Sequence, residues 1–390
     1  MKTGAQTLEA ALGRGGRRAG PLESQRPWRV EILGLDLWIS AAVLALLGIG
    51  IVMVFNVSYF HAERDLGDPY YFFRKHVVAV VMGLVGAVLV ARLSSDVYQR
   101  LAYPAVIVAL LSLVAVLAFG TVRGGAQRWL VVGTTSIQPS ELAKVALVLY
   151  LACSLAQKRD RVHELKRGVL PHCLVGGVMA GLLVVEPDFG SAVLCLGLVA
   201  FMLFAGGARL AHLGLLSLGA VPVLAYAVLS EGYRMGRLLS FLNPGLDPQG
   251  AGYQLDQSLI AFGSGGVTGL GIGGSQQKMY FLPAAHTDFI YSIVGEELGV
   301  IGALLVLGLF AVLAMRGLRI ASRHPDRFGS LLATGVTLLI VVQGLLNVGV
   351  VLGCLPTKGL VLPFISYGGS AMLVTLAEVG ILLALARETR

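Results

Sequence analysis

Residues 36–57 read DLWISAAVLALLGIGIVMVFNV, and after Asp36 the run carries no charged side chain. About 20 consecutive apolar residues suffice for a helix to cross ~30 Å of hydrocarbon. Similar windows recur near 76–92, 102–122, 138–157, 168–185, 190–206, 211–230, 288–315, 329–352 and 366–386. The expected fold is therefore an all-α polytopic membrane protein with ten transmembrane helices. Composition agrees. A chain of 390 residues has the length of two or three soluble domains, yet 56% of it is apolar and only 13% charged, where a soluble domain carries about 25% charge. Mean hydropathy is +0.79. A soluble fold, extended disorder and a single-anchor protein are excluded. The 51 glycines fit closely packed or interrupted membrane helices.

Charge placement sets the orientation. With the N-terminus inside, the inner segments hold 20 Lys and Arg residues and the outer loops nine, with Lys144 inside a span. By the positive-inside rule both termini are cytoplasmic. The net charge of +8 is thus explained by the inner membrane face rather than by nucleic acid. Residues 1–32 are polar and Gly/Arg-rich and read as a flexible cytoplasmic tail, not a cleaved signal. Cys153, Cys173, Cys195 and Cys354 are scattered without a CxxC pair, so no zinc site or disulfide framework is readable. One outer loop, 231–287 between the seventh and eighth spans, is 57 residues long. Gly269, Gly271 and Gly274 in it match GxGxxG, but no βαβ unit surrounds them. A mobile glycine-rich loop is expected instead.

Ionisable residues at membrane depth are expensive and are the first functional candidates. Glu141 and Lys144 share a helix face at i and i+3, either as a neutralised pair gluing helices or as the lining of an outward cavity. Glu186 and Asp188 flank Pro187 at an outer turn, where they are a solvated turn or orient cations. Arg123, Arg128, Arg234 and Arg237 lie on the same outer face. A guanidinium recognises phosphate by paired hydrogen bonds, although each arginine could simply contact headgroups. Asp288 follows His286 and Thr287 where the long loop meets the eighth span, and it is expected in the first helical turn as a cap or as a base. Glu296 and Glu297 look structural, or paired with a basic group elsewhere.

These residues fall in recognisable motifs. Residues 281–290 (FLPAAHTDFI) with 295–299 (GEELG), and 355–370 (LPTKGLVLPFISYGGS), resemble the signatures of the SEDS family (shape, elongation, division and sporulation). Residues 138–144 and 186–191 fit the same pattern in the same order. The resemblance covers about 33–387, a single ten-helix domain, and Thr357-Lys358-Gly359 with Gln277-Lys278 is most similar to the cell-division branch. It implies a peptidoglycan glycosyltransferase (a hexosyltransferase acting on lipid II at the outer face of the cytoplasmic membrane) at the division septum. It implies Asp288 as the catalytic residue. Candidate contacts to the lipid II pyrophosphate and sugars are Arg123, Arg128, Glu141, Lys144, Asp188, Arg234, Arg237, Lys278, His286, Thr287, Lys358 and Ser366. A class B penicillin-binding protein transpeptidase and other divisome membrane proteins are the implied partners. No metal ligand set is readable; a divalent cation (Mg or Mn) at the pyrophosphate is compatible chemistry. Two other readings stay open, a lipid II flippase and a non-catalytic divisome scaffold. A flippase would need polar groups reachable from both sides, and a scaffold would not need Asp288.

Overall fold

The computed structural model describes residues 36–123, 126–133, 135–243, 250–279, 281–283 and 285–389. The tail expected at 1–32 lies outside the described residues. All ten apolar windows fall on helices. These are α1 (Leu37–Leu66), α2 (Tyr71–Val90), α3 (Ser95–Phe119), α4 (Pro139–Gln157), α5 (Leu170–Val185), α6 (Phe189–Ala205) and α7 (Leu210–Leu229), then α10 (Ile290–Arg323), α11 (Arg327–Val351) and α12 (Gly369–Glu388). Among the described residues nine helical segments are long and apolar enough to cross a membrane, and α6, at 17 residues, is the shorter tenth. Helix ends follow local chemistry. The Asp36 carboxylate accepts from the amides of Trp38 and Ile39 at the start of α1, and Gly67 (φ 67°) ends it in the left-handed region.

α4, α11 and α12 form the centre, with α11 packed against α4, α6, α10 and α12. α7 is the opposite extreme, a peripheral helix with no buried residue. The segments assigned inside by charge meet at one end of the bundle. There Arg316 pairs with Asp36, Arg327 donates to the Gly206 carbonyl at 2.7 Å, and Arg387 donates to the Ala91 carbonyl at 3.0 Å. The other end carries the 231–287 segment and the candidate site.

Two expectations are corrected. The fold is not wholly α: β1 (Thr121–Arg123), β2 (Ala126–Val132) and β3 (Thr135–Ile137) form an antiparallel sheet in the order β1-β2-β3. β-branched residues at 121, 122, 131, 132, 135 and 137 favour the pleated form once the chain leaves the bilayer. The second correction concerns 231–287. It contains α8 (Gly232–Leu242) and α9 (Ala251–Gly265), and its glycine-rich turn is docked rather than loose.

What docks it is a break in α10. Gly299 has φ 67° and ψ −167°, which interrupts the helical hydrogen-bond ladder. The freed carbonyls of Glu296 and Glu297 accept from the amides of Leu270 and Gly271, both at 3.0 Å. The freed amides of Val300 and Ile301 donate to the carbonyls of Gly266 and Val267 at 3.0 and 3.2 Å. Backbone groups left unpaired at such depth would cost several kcal/mol each. The two glutamates complete the clamp. Glu296 accepts from the Gln276 amide at 2.9 Å and from the Ser275 hydroxyl. Glu297 Oε1 pairs with Lys278 Nζ at 2.9 Å, and that Nζ also donates to Asn56 Oδ1 at 2.7 Å.

A side chain at either facing glycine cannot fit. A Cβ on Gly269 would lie 2.1 Å from the Glu297 carbonyl oxygen, and one on Gly299 would lie 2.4 Å from the Val267 carbonyl oxygen. Gly299→Ala and Gly269→Ala should each lower stability by about 2–4 kcal/mol. Thermal unfolding in detergent reads this, with Gly308→Ala, whose Cβ would meet nothing within 4 Å, as the unaffected control.

Candidate active site

At the end of the bundle away from Asp36 and Arg316, four segments converge on an open cleft of about 540 Å³, solvent at its mouth included. β2 supplies Arg128, the start of α6 supplies Asp188 and Phe189, α8 supplies Tyr233 and two arginines, and the α11–α12 connection supplies Lys358 and Gly359. Asp188 caps α6, its Oδ1 accepting from the Ser191 amide at 3.2 Å. The turn before it holds Arg128 in place: Nε donates to the Glu186 carbonyl at 3.3 Å and Nη2 to the Pro187 carbonyl. Arg234 is buried and ties three helices, donating at 2.8 Å to the carbonyls of both Ala227 and Val184. Arg237 stands 5.7 Å from the Tyr233 ring and Lys358 Nζ stands 5.8 Å from the Phe189 ring. Among the described residues none of these four cations has a carboxylate partner.

Asp288 reaches this cluster across Gly359. A Cβ placed on Gly359 would lie 3.5 Å from Asp288 Oδ2 and 3.6 Å from Arg128 Nη1. Glycine there keeps the space between carboxylate and guanidinium clear. The sequence placed Asp288 in the first helical turn, but α10 begins at Ile290 and Phe289 is its uncapped N-cap. Asp288 is thus free of capping duty. Burial pushes its carboxyl up to about 6, opposed by Arg237 and Arg128 and assisted by Asp188. Burial also lowers Lys358 below the usual lysine range.

The remaining candidates divide into supports and absentees. Ser366 donates to the Thr287 carbonyl at 2.6 Å and accepts from the Leu362 amide at 2.9 Å, bracing the loop that carries Asp288. The His286 carbonyl accepts from the Tyr367 amide at 3.0 Å, and its ring, 5.1 Å from that of Phe72, is pushed down to about 4 by burial and by His61, hence neutral. Glu141 and Lys144 are buried and paired at 2.9 Å, with Lys144 also donating to Gln343 Oε1 at 2.6 Å. Of the two readings left open for this pair, the helix-joining one fits. Lys278 is neutralised by Glu297 and does not line the cleft. The side chain of Arg123, at the end of β1, lies outside the described residues.

Sequence reasoning missed two participants, Gly359 and Asn347, and left Glu186 open between a solvated turn and a cation-orienting acid. Glu186 is buried with neither carboxyl oxygen hydrogen-bonded, and burial first, then Asp188, pushes it up to about 8 against the pull of Arg128. Gly359 gave no signal as a lone glycine. Asn347, inside α11, donates to the main-chain oxygens of Asp288 and Leu360 at 2.8 and 2.6 Å. Its signal was a second amide, Gln343, one turn away in an otherwise apolar window.

The profile of the family described as "Cell cycle protein", which groups FtsW, RodA and SpoVE, matches residues 37–390. This chain belongs to that family. Among its FtsW/RodA/SpoVE relatives, the probable peptidoglycan glycosyltransferase FtsW of Trichlorobacter lovleyi is 42% identical over 361 residues, 92% of this chain and 94% of that protein. The protein of the same name from Coxiella burnetii is 41% identical over 360 residues, 91% and 96% of the two chains. A solved chain from work on structural coordination of polymerization and crosslinking by a peptidoglycan synthase complex superposes with TM-score 0.75 at 30% identity, covering 92% of this chain and 99% of that one. The crystal structure of the Thermus thermophilus rod shape determining protein RodA superposes with TM-score 0.66 at 29% identity, covering 93% and 98%.

The Glu141–Lys144 pair yields a stability test. Either single neutralisation, Glu141→Gln or Lys144→Met, strands a buried charge and should cost about 3–5 kcal/mol. The double variant should cost less than the sum of the two. A double-mutant cycle on unfolding in detergent measures the coupling, and a coupling of zero removes the pairing claim.

Proposed function

We propose that this chain is a peptidoglycan glycosyltransferase that polymerises lipid II at the outer face of the cytoplasmic membrane during cell division. The observation that carries the reading is the meeting of Asp288 with Arg128 across Gly359, beside Arg237 and Lys358. Both termini then lie in the cytoplasm, ten segments cross the bilayer, and 231–287 faces outward. A class B penicillin-binding protein that cross-links the new strand is the partner, with other division proteins around it. The names of the FtsW relatives, and a structural neighbour that belongs to a synthase complex, support these assignments.

The reaction joins the acceptor sugar's 4-hydroxyl to the anomeric carbon of the donor strand and expels undecaprenyl pyrophosphate. An α-linked donor and a β-linked product require one inversion, so a single base suffices and no covalent carboxylate is needed. Asp288 takes the hydroxyl proton as the C–O bond forms. Arg128, Arg237 and Lys358 stabilise the charge that develops on the departing pyrophosphate. Among the described residues no group of three or more His, Cys, Asp or Glu side chains is arranged to hold a cation. No step is therefore routed through a metal, and the cleft's own cations balance the leaving group. The flippase reading needs polar groups reachable from both sides, and the Glu141–Lys144 pair is buried between α4 and α11.

Asp288→Asn keeps the shape and removes the base. Lipid II polymerisation by the purified protein with its transpeptidase partner should fall at least ~100-fold while lipid II binding persists. Near-normal glycan synthesis by the folded variant would defeat the assignment. In the wild-type protein the rate should rise with pH through about 6 and then level, because the base must be deprotonated. Arg237→Ala should slow polymerisation by about 10- to 100-fold and move the inflection to higher pH, since Arg237 holds the Asp288 carboxyl down. Lysine at 237 should restore the rate only in part, lacking the planar fork.

A further inference from the structure

Two loops must stay in register for the site to exist: the one carrying Asp288, and 355–361, which carries Lys358 and Gly359. Neither is held by regular secondary structure. Asn347 is 1% exposed and lies where both can be reached from α11. Its single amide nitrogen donates one hydrogen to the Asp288 carbonyl at 2.8 Å and the other to the Leu360 carbonyl at 2.6 Å. Leu360 follows Gly359, the residue against which Asp288 Oδ2 and Arg128 Nη1 sit. One turn back along α11, Gln343 Nε2 donates to the next carbonyl, Val361, at 3.3 Å. Gln343 is fixed in turn from the other side, its Oε1 accepting from Lys144 Nζ at 2.6 Å while that Nζ holds Glu141 at 2.9 Å.

We infer that Asn347 is a positioning residue for the reaction, setting the Asp288 carboxylate against the Gly359 backbone and its cations, with Gln343 and Lys144 bracing the same loop from the membrane interior. The geometry explains the residue type. Only a side chain with two donors on one atom bridges two carbonyls at once, and a carboxylate there would face both oxygens with like charge. It also explains the buried Glu141–Lys144 pair, whose cation holds the Gln343 amide in the orientation that presents its N–H to Val361. Positioning of this kind acts on the chemical step. A misplacement of about 1 Å can cost on the order of 100-fold in rate without altering how substrate is held.

The inference rests on Asp288 being the base, and the experiment separates the two. Steady-state polymerisation of lipid II and lipid II binding are measured for the full chain with its transpeptidase partner, comparing wild type, Asp288→Asn, Asn347→Leu and Gln343→Leu. Leucine at 347 is close in shape to asparagine and removes both donors. The expected result is a fall in kcat on the order of 10- to 100-fold for Asn347→Leu, with KM and lipid II affinity within about twofold of wild type. Gln343→Leu should show a smaller fall of the same kind. Asn347→Ser, which cannot bridge both carbonyls, replaces the leucine variant if the latter does not fold, with the same kcat loss expected. If Asp288→Asn is inactive but folded Asn347 variants keep wild-type kcat, the inference falls and the base assignment stands. If kcat and lipid II affinity fall together, Asn347 is merely structural and the inference falls as well. If Asp288→Asn stays active, the functional reading fails first.

Discussion

The arrangement depends on one constraint, that a backbone amide or carbonyl inside an apolar bundle must find its partner within the protein. α10 violates helical continuity at Gly299, and the four groups it releases are taken up by residues 266–271. That exchange converts a long connection into a fixed part of the fold. With 266–271 pinned and 275–278 clamped by Glu296 and Glu297, the chain re-enters the bundle at a set place. The residues just before α10, Asp288 among them, therefore arrive beside α11 in a defined geometry. Glycine at 269 and 299 is demanded by contact as well as by backbone angle, since each would drive a Cβ into the opposing main chain.

Electrostatics then differentiates carboxyl groups that the sequence presents as equals. Glu297 is buried against a lysine and Glu141 against another, so both are bound into ion pairs. Glu186 is buried with neither carboxyl oxygen hydrogen-bonded among the described residues, and that burial raises it to about 8, behind the arginine that its own carbonyl positions. Asp288 falls between these extremes. Burial weakens it as an acid and two arginines restore part of the loss, leaving it near 6. A base must be ionised yet still basic enough to draw a proton from a hydroxyl, and a value just below the working pH serves both needs.

The apolar spans were legible because hydropathy needs no knowledge of partners, and all ten windows became helices. The sheet at 121–137 was not, since two of its strands have only three residues each and leave no periodicity long enough to read. The 231–287 segment was misread for a related reason: glycine content reports freedom in isolation, while the docking of that glycine turn depends on a break 28 residues downstream of Gly271, at Gly299. At the site, Asp288, Arg128, Arg237 and Lys358 were visible as charged residues on one outer face. Lys278 carried the same signal, but its partners Asn56 and Glu297 lie 222 and 19 positions away, and pairings of that kind are invisible in one sequence. Asn347 escaped for the opposite reason, because an uncharged amide in an apolar helix raises no alarm until its two acceptors are known.

Two lysines, one buried and one half-buried, differ in what surrounds them. Lys278 is closed off by Glu297 and Asn56, a satisfied ion that gains nothing from a ligand. Lys358 is partly buried, is shifted toward neutrality by that burial, and lies 5.8 Å from the Phe189 ring with no ion pair among the described residues. Arg237 likewise faces an aromatic ring and has no ion pair among the described residues. Partly buried cations that form no ion pair among the described residues are a cost to the fold, and an anionic ligand offsets that cost on binding. The same desolvation that strains the cleft strengthens its attraction for an anion that enters it, because each contact then acts in a medium less polarisable than water.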